Sequence, residues 1–223
     1  MNMLDQIKGK LIVSCQALPE EPLHSSFIMA RMAVAAKQGG ACGIRAQSKE
    51  DILAIEEVCD LPIIGIVKRN YEDSDVYITP TQVEVAELLE TKCAMIALDA
   101  TMRKRPHGVE TKALVDMIHA AGRLAMADCS TLEECIEAER IGFDVVSTTL
   151  CGYTPYSQLL EGPNFPLMEE VLQVVTVPLL AEGKINTPQE LAKALETGAY
   201  AAVVGGAITR PKQITERFVA AIQ

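Results

Sequence analysis

Tryptophan is absent from this 223-residue chain, and aromatic residues make up only 4% of it. Its core must therefore be built from Ala, Val, Ile and Leu, a composition common in proteins that alternate buried strands with helices. The chain also lacks an excess of positive charge, because its 30 acidic residues outnumber its 20 Lys and Arg and the formal net charge is −10. This balance argues against nucleic acid or an anionic membrane surface as the main partner, since both need a basic face. An anionic small molecule stays open as a ligand.

A CxxC pair, an apolar leader and a long apolar run are missing as well. The seven cysteines are scattered and odd in number, which predicts free thiols in a reducing compartment. The first ten residues, MNMLDQIKGK, contain no apolar stretch, and no run approaches the roughly 18 apolar residues that span a membrane. We therefore expect a cytoplasmic protein that has no membrane partner.

Eight short apolar runs alternate with longer amphipathic stretches along the whole chain. The runs cover residues 11–17, 42–46, 62–68, 94–100, 124–128, 145–150, 178–183 and 201–206. Their ends recur about every 27 residues, the length of one strand–helix unit. Eight such units predict a single-domain (β/α)₈ TIM barrel over residues 1–223. The rival is a doubly wound open sheet, which normally carries a Gly-rich fingerprint after its first strand, and SCQALPEEP (14–22) has none.

Helix-boundary residues separate these runs. N-caps are expected at Ser48, Thr81, Thr131 and Thr187, the last three with capping-box spacing. Left-handed C-cap glycines are expected at Gly39, Gly122, Gly142 and Gly198.

Polar residues end most of the apolar runs. They are Gln16, Arg45, Lys68, Asp99, Asp128, Thr148 with Thr149, and Glu182. In a parallel barrel these ends converge on the C-terminal mouth, where the active site lies. The alternative is that each of these residues is a solvated side chain at the end of its own strand, with no shared function. Five ionisable side chains on one rim favour a functional site instead.

The eighth run ends in VVGGAITRP (203–211). Gly205 and Gly206 leave the backbone open, and a helix is predicted to begin near Arg210. Free N–H groups and the positive end of a helix dipole would bind an anion there. Gly183 supplies the strand-seven side of this predicted phosphate site, which is the usual one in barrels. A plain tight turn is the alternative.

The histidines do not form a metal-binding pattern. His24, His107 and His119 are isolated, and only His24 lies on a loop at the predicted mouth. No predicted strand ends in His, so we expect no metal and no other cofactor. His107 and His119 are expected on surface helices. Cys15, Cys129 and Cys151 lie near strand ends without a basic partner, so we expect inert thiols.

The motifs together resemble the bacterial N-acetylmannosamine-6-phosphate 2-epimerase family. The segments that carry the resemblance are IVSCQALPEEPLHSS (12–26), GIRAQSKEDI (43–52), PIIGIVKR (62–69), IALDAT (96–101), MADCSTLEE (126–134), STTLCGYT (147–154), LLAEGKINTP (179–188) and VVGGAITRP (203–211). They cover essentially the whole chain. The resemblance implies a metal-free TIM-barrel isomerase of sialic acid and N-acetylmannosamine catabolism, acting on a phosphosugar.

The resemblance also assigns roles to residues. It implies that Lys68 and Glu182 are catalytic and that Arg45 and Asp128 complete the polar centre. The implied sugar contacts are Gln16, Thr148 and Thr149. The implied phosphate contacts are Gly183, Gly205, Gly206 and Arg210. We assign Asp99 a scaffold role, and the role of His24 stays open.

Inverting C2 of an N-acetylhexosamine means removing a proton next to a latent aldehyde and returning one to the other face. Lys68 can be the base only when neutral; burial and Arg45 would lower its pKa, whereas Asp128 and Glu182 would oppose that shift. Arg45 is the expected enolate stabiliser, through two N–H groups. Glu182 is the expected partner acid or base.

Other functions remain open at this point. A Schiff-base lyase would use Lys68 as a nucleophile. A metal-free isomerase of another phosphosugar would share the phosphate site, and a non-catalytic sugar-phosphate sensor would need no acid–base cluster. The sequence also leaves the division of proton transfer and the oligomeric state open, a homodimer included.

Overall fold

The computed structural model describes residues 2–222. Its eight strands are parallel, and each pairs with the next until the eighth closes on the first. They are β1 (Leu11–Cys15), β2 (Gly43–Gln47), β3 (Ile63–Ile66), β4 (Met95–Asp99), β5 (Leu124–Asp128), β6 (Val145–Ser147), β7 (Leu179–Glu182) and β8 (Ala201–Val204). The predicted (β/α)₈ barrel is confirmed, and the open sheet is excluded because no strand edge is left unpaired.

One short helix precedes β1, and the other helices follow the strands around the barrel. The helices are α1 (Met3–Ile7), α2 (Ser26–Gln38), α3 (Lys49–Glu56), α4 (Gln82–Leu89), α5 (Thr111–Ala120), α6 (Leu132–Ile141), α7 (Phe165–Val174), α8 (Pro188–Glu196), α9 (Gly206–Thr209) and α10 (Pro211–Ala220). The predicted N-caps are confirmed. Ser48 accepts a hydrogen bond from the Asp51 N–H, and Thr81, Thr131 and Thr187 form capping boxes. Among residues 2–222, no helix is long and apolar enough to cross a membrane.

One predicted C-cap glycine is wrong. Gly122, Gly142 and Gly198 have positive φ angles, as expected, but Gly39 has a φ of −76°. Its N–H still bonds the Ala35 carbonyl at 2.9 Å, so it ends the last helical turn. The reversal falls on Gly40, at a φ of 98°. Two adjacent glycines leave the position of the left-handed residue open in the sequence.

Side chains alternate between the barrel interior and the helix layer, as the pleat of a strand requires. The interior cluster includes Ile12, Ile64, Ile66, Met126, Val145, Leu180 and Val203. The intervening residues, such as Val13, Ile44, Val67 and Val146, pack in the larger cluster under the helices. Counting in twos towards the mouth places Arg45, Lys68, Asp128, Thr149 and Glu182 on the interior side.

Candidate active site

A cavity of about 850 Å³ opens at the carboxyl ends of the strands. The predicted site residues that line it are Gln16, Arg45, Lys68, Thr149, Glu182, Gly183, Gly205, Gly206 and Arg210. Asp128 and Thr148 are not among the lining residues. The structure therefore brings together most of the residues that the sequence analysis selected, and it separates two of them from the cavity wall.

Arg45 lies at the base of the cavity and is only 1% exposed. Its guanidinium donates to both oxygens of Asp128, at 2.9 and 2.6 Å, and to Glu182 Oε2 at 2.8 Å. A buried cation needs such partners, because its desolvation would otherwise be very costly. Both terminal nitrogens of Arg45 are thus committed to carboxylates, and only its Nε lacks a partner among residues 2–222. This differs from the expected role, in which two N–H groups face an enolate.

Asp128 is fully buried beneath the cavity. Its Oδ1 accepts hydrogen bonds from Arg45 and from the Thr149 hydroxyl at 2.8 Å, and its Oδ2 accepts from Arg45. A carboxylate with both oxygens engaged this way orients its donors. The structure therefore gives Asp128 the position of a residue that holds Arg45 and Thr149 in place.

The two adjacent threonines after β6 face opposite sides of the sheet. Thr149 points inward, where its hydroxyl also donates to Glu182 Oε2 at 3.1 Å. Thr148 points outward and is 1% exposed. Its hydroxyl donates to the Glu182 carbonyl at 2.8 Å and accepts from the Glu182 N–H at 3.2 Å. Thr148 thus fixes the backbone of Glu182 and is not placed to contact a sugar.

Lys68 follows β3 and lines the wall of the cavity opposite Glu182. Burial, together with the positive charges of Arg45 and Arg210, lowers its pKa from 10.5 to about 8, against the opposing effect of Glu182 and Asp128. Among residues 2–222, its ammonium group has no hydrogen-bond partner. An amine with such a pKa can be neutral at physiological pH and can act as a base or as a nucleophile.

Glu182 ends β7, and burial raises its pKa from 4.5 to about 7. Arg45 opposes that shift, and the nearby Asp128 carboxylate adds to it. Because β3 and β7 are four strands apart in a closed barrel of eight, Lys68 and Glu182 face each other across the mouth. Two groups that titrate near neutrality from opposite walls can deliver and remove protons on opposite faces of one carbon.

The side of the mouth formed by β7 and β8 has an exposed backbone and one arginine. Gly183 has a φ of 107°, and a Cβ there would lie 3.2 Å from the Thr148 carbonyl oxygen. Gly205 and Gly206 lead into the short helix α9, which the sequence analysis did not predict. Arg210 precedes α10, where its guanidinium lies 3.2 Å from Glu21 Oε2. Glu21 does not line the cavity, whereas Arg210 does, so the ion pair holds Arg210 from outside the cavity wall.

Asp99 lies outside this cavity. It is 1% exposed and accepts hydrogen bonds from Thr101 and from Arg103 in the loop after β4. These contacts fit the expected scaffold role. His24 bonds the Ala17 carbonyl at 3.1 Å, which ties its loop to the end of β1.

The remaining histidines and the cysteines lie away from the chemistry described so far. His119 is on α5, as expected, and bonds Asp144 at 2.8 Å. His107 is not on a surface α-helix; it lies in a 3₁₀ turn with a φ of 55°. The cysteines are unpaired, and burial raises the pKa of Cys15 to about 12 and that of Cys129 well above its usual value. Within residues 2–222, no group of three His, Cys, Asp or Glu side chains is arranged to hold a metal ion.

Several polar lining residues were missed by the sequence analysis. Five of them are Gln47, Asn70, Tyr77, Tyr153 and Lys184. Gln47 could have been found, because it stands two residues after Arg45 and so shares its face. The other four lie in loops, where no periodicity indicates the direction of a side chain.

A closed barrel whose C-terminal mouth holds two facing groups with pKa values near neutrality has the architecture of a (β/α)₈-barrel enzyme that uses acid–base chemistry. Comparison with known proteins narrows this class. The family model described as "Putative N-acetylmannosamine-6-phosphate epimerase" matches residues 29–223. The chain therefore belongs to this family, as its motifs indicated.

Individual relatives agree with this assignment. A protein of Clostridium perfringens named "Putative N-acetylmannosamine-6-phosphate 2-epimerase" is 69% identical over 97% of this chain and 98% of its own length. A protein of the same name from Clostridioides difficile is 61% identical over 99% of both chains. The solved structure of the N-acetylmannosamine-6-phosphate 2-epimerase from C. perfringens has a TM-score of 0.98 at 67% identity, and covers 99% of this chain and 96% of that one. A thiamine phosphate pyrophosphorylase from Pyrococcus furiosus, at 18% identity and a TM-score of 0.64, shares the fold alone.

Proposed function

We propose that this chain is an N-acetylmannosamine-6-phosphate 2-epimerase, which interconverts N-acetylmannosamine 6-phosphate and N-acetylglucosamine 6-phosphate as one catalytic unit in the cytoplasm. The observation that carries the proposal is the pair formed by Lys68 and Glu182. Their pKa values are about 8 and about 7, and they approach the cavity from opposite walls. This arrangement suits epimerisation, because the proton leaves one face of C2 and returns to the other.

The substrate is held at two ends. Its phosphate binds beside Gly183, Gly205 and Gly206, where the backbone can approach an anion closely, and Arg210 adds a positive charge. The sugar then lies across the mouth, between Lys68 and Glu182. Anchoring the phosphate far from C2 supplies the orientation that the proton transfers require.

The reaction begins when the sugar ring opens and frees the C1 aldehyde, which acidifies the proton on C2. Neutral Lys68 takes that proton and becomes an ammonium group, while the electron pair moves into the enolate. Protonated Glu182 then delivers a proton to the opposite face of C2 and becomes a carboxylate. In the reverse direction the two groups exchange roles. With a pKa of about 8, about a tenth of Lys68 is neutral at pH 7.

Arg45, Asp128 and Thr149 support this pair from below. Thr149 and Arg45 both donate to Glu182 Oε2, so the Glu182 Oε1 is the oxygen free to meet the substrate. Arg45 contributes positive charge to the enolate through its remaining donor, Nε. Asp128 keeps Arg45 fixed while Glu182 gains and loses its proton.

Proton NMR of N-acetylmannosamine 6-phosphate with the enzyme in D₂O tests the proposal. The expected result is N-acetylglucosamine 6-phosphate with deuterium at C2, formed equally well in the presence of EDTA. A stable substrate spectrum would contradict the function, and a C2 proton retained in all of the product would contradict proton exchange. Borohydride added to the reaction separates the lyase alternative, because covalent trapping of substrate on Lys68 would indicate a Schiff base.

A further inference from the structure

Gln47 is the last residue of β2 and lines the cavity. Its side chain lies on the same face of the strand as Arg45, one step closer to the mouth. The register pairs Gln47 with Ile66 of β3, and Lys68 is the next interior residue after Ile66. Gln47 therefore stands beside the proposed base, on the neighbouring strand.

The carboxamide oxygen of Gln47 is buried without a partner. The residue is 8% exposed, and its Oε1 accepts no hydrogen bond from any residue between 2 and 222. Within that range, Arg45 Nε is the other buried side-chain atom in this condition. The neighbouring carboxamide of Gln16 differs, because its Nε2 donates to Ser14 Oγ at 2.7 Å. Buried acceptors are nearly always satisfied, so an unpaired one on a residue that lines a cavity indicates a donor on the ligand.

We propose that Gln47 Oε1 accepts a hydrogen bond from the N–H of the substrate's 2-acetamido group and thereby positions C2 between Lys68 and Glu182. This inference rests on the proposed function. The acetamido nitrogen is bonded to C2, the carbon that Lys68 deprotonates, so a side chain beside Lys68 is the one placed to meet it. An amide N–H can only donate, and an acceptor-only oxygen matches it.

This contact would hold the acetamido nitrogen in place while C2 inverts. C2 becomes planar in the enolate and then pyramidal in the opposite sense, while its nitrogen must stay near one place. When a fixed acceptor holds this nitrogen, the C2–H bond can point towards Lys68 in one epimer and towards Glu182 in the other. The phosphate need not move between the two. Gln47 moves no proton in this scheme; it is a positioning residue that also selects for 2-acetamido sugars.

Two non-reacting ligands test the contact directly. N-acetylmannosaminitol 6-phosphate lacks the C1 carbonyl and cannot be epimerised, and 2-O-acetylmannitol 6-phosphate replaces its amide N–H with an ester oxygen. We expect the wild-type enzyme to bind the amide roughly tenfold more tightly than the ester, the scale of one neutral hydrogen bond. In Gln47→Met the ratio should fall to about one, because the thioether sulfur is only a weak acceptor. Titration calorimetry measures all four affinities.

The matched control is Gln16→Met, which removes another carboxamide from the same cavity. It should weaken both ligands alike and keep their ratio. Retention of the amide–ester ratio in Gln47→Met, or a wild-type ratio near one, would overturn the inference. A purely structural role for Gln47 would lower the melting temperature and leave the ratio intact; if Gln47→Met fails to fold, Gln47→Leu takes its place. Wild-type epimerisation in D₂O tests the proposed function separately, so the two ideas can fail independently.

Discussion

The dependence of activity on pH is the most direct consequence of the paired groups. Lys68 and Glu182 must hold one proton between them, so kcat/KM should follow a bell with midpoints near pH 7 and pH 8. The maximum should lie between these values. At pH 5.5 and at pH 9.5 the rate should be roughly 20-fold below the maximum, since the fraction of enzyme in the singly protonated form falls about tenfold per pH unit on each side.

Glu182→Gln isolates one limb of this bell. The amide cannot exchange a proton, so kcat/KM should fall by on the order of 10²–10⁴. The residual activity should depend on Lys68 alone and show a single midpoint. That midpoint should lie below pH 8, because the Glu182 carboxylate raises the pKa of Lys68 and its removal leaves burial and Arg45 unopposed by that charge.

The assay is the initial rate of epimerisation in buffers of constant ionic strength, with circular dichroism to verify folding at each pH. Glu161→Gln serves as the control, because it removes one negative charge from a residue that does not line the cavity; its bell should match that of the wild type. If Glu182→Gln kept both limbs at their original midpoints, Glu182 would not be one of the two titrating groups.

Four further predictions concern binding, stability and the pKa of Glu182. Arg210→Ala should weaken binding of phosphorylated substrate by roughly 1.5–3 kcal/mol, the scale of one charge-assisted hydrogen bond, while unphosphorylated N-acetylmannosamine should be equally poor with both enzymes. Thr148→Val should lower the free energy of unfolding, measured in urea, by about 1–3 kcal/mol, since it removes the hydroxyl that bonds the Glu182 backbone. Thr149→Val should instead raise the pKa of Glu182, because the Thr149 hydroxyl lowers that pKa. Lys68→Met should raise the free energy of unfolding by up to about 3 kcal/mol at pH 7, because the pKa of Lys68 is lower in the folded chain than in the unfolded chain. This gain should be full below about pH 8 and should vanish as the pH rises towards 10.5. A gain that persists at pH 10.5 would refute the prediction.

The fold could be predicted because it depends on short-range patterns. Each apolar run is long enough for one strand, and Ser48, Thr81, Thr131 and Thr187 cap the following helices by local hydrogen bonds. Eight repeats of such a unit leave few arrangements other than a barrel. The polar strand ends could be predicted for the same reason, since a parallel barrel brings them all to one mouth.

What the sequence analysis lacked was the direction of each side chain. Thr148 and Thr149 were assigned the same role, yet adjacent residues of a strand face opposite sides, so only one could reach the cavity. Gln47 was overlooked although it shares the face of Arg45. Strand alternation, applied to the end of each run, would have resolved both. The contact between Asp128 and Arg45 could not be predicted in this way. Arg45 lies 83 residues away in the chain, and the two side chains meet only in the closed barrel.

The closed barrel also explains why Lys68 and Glu182 have neighbouring pKa values. A lysine and a glutamate in direct contact would form an ion pair and move their pKa values apart. Here the mouth separates them, and Glu182 turns one oxygen to Arg45 instead. Burial is then the largest effect on each group, and it lowers the pKa of Lys68 and raises that of Glu182 until the two nearly meet. Asp128 is needed in this arrangement because it neutralises Arg45; without that pairing the full positive charge would favour the Glu182 carboxylate and draw its pKa back towards the ordinary value.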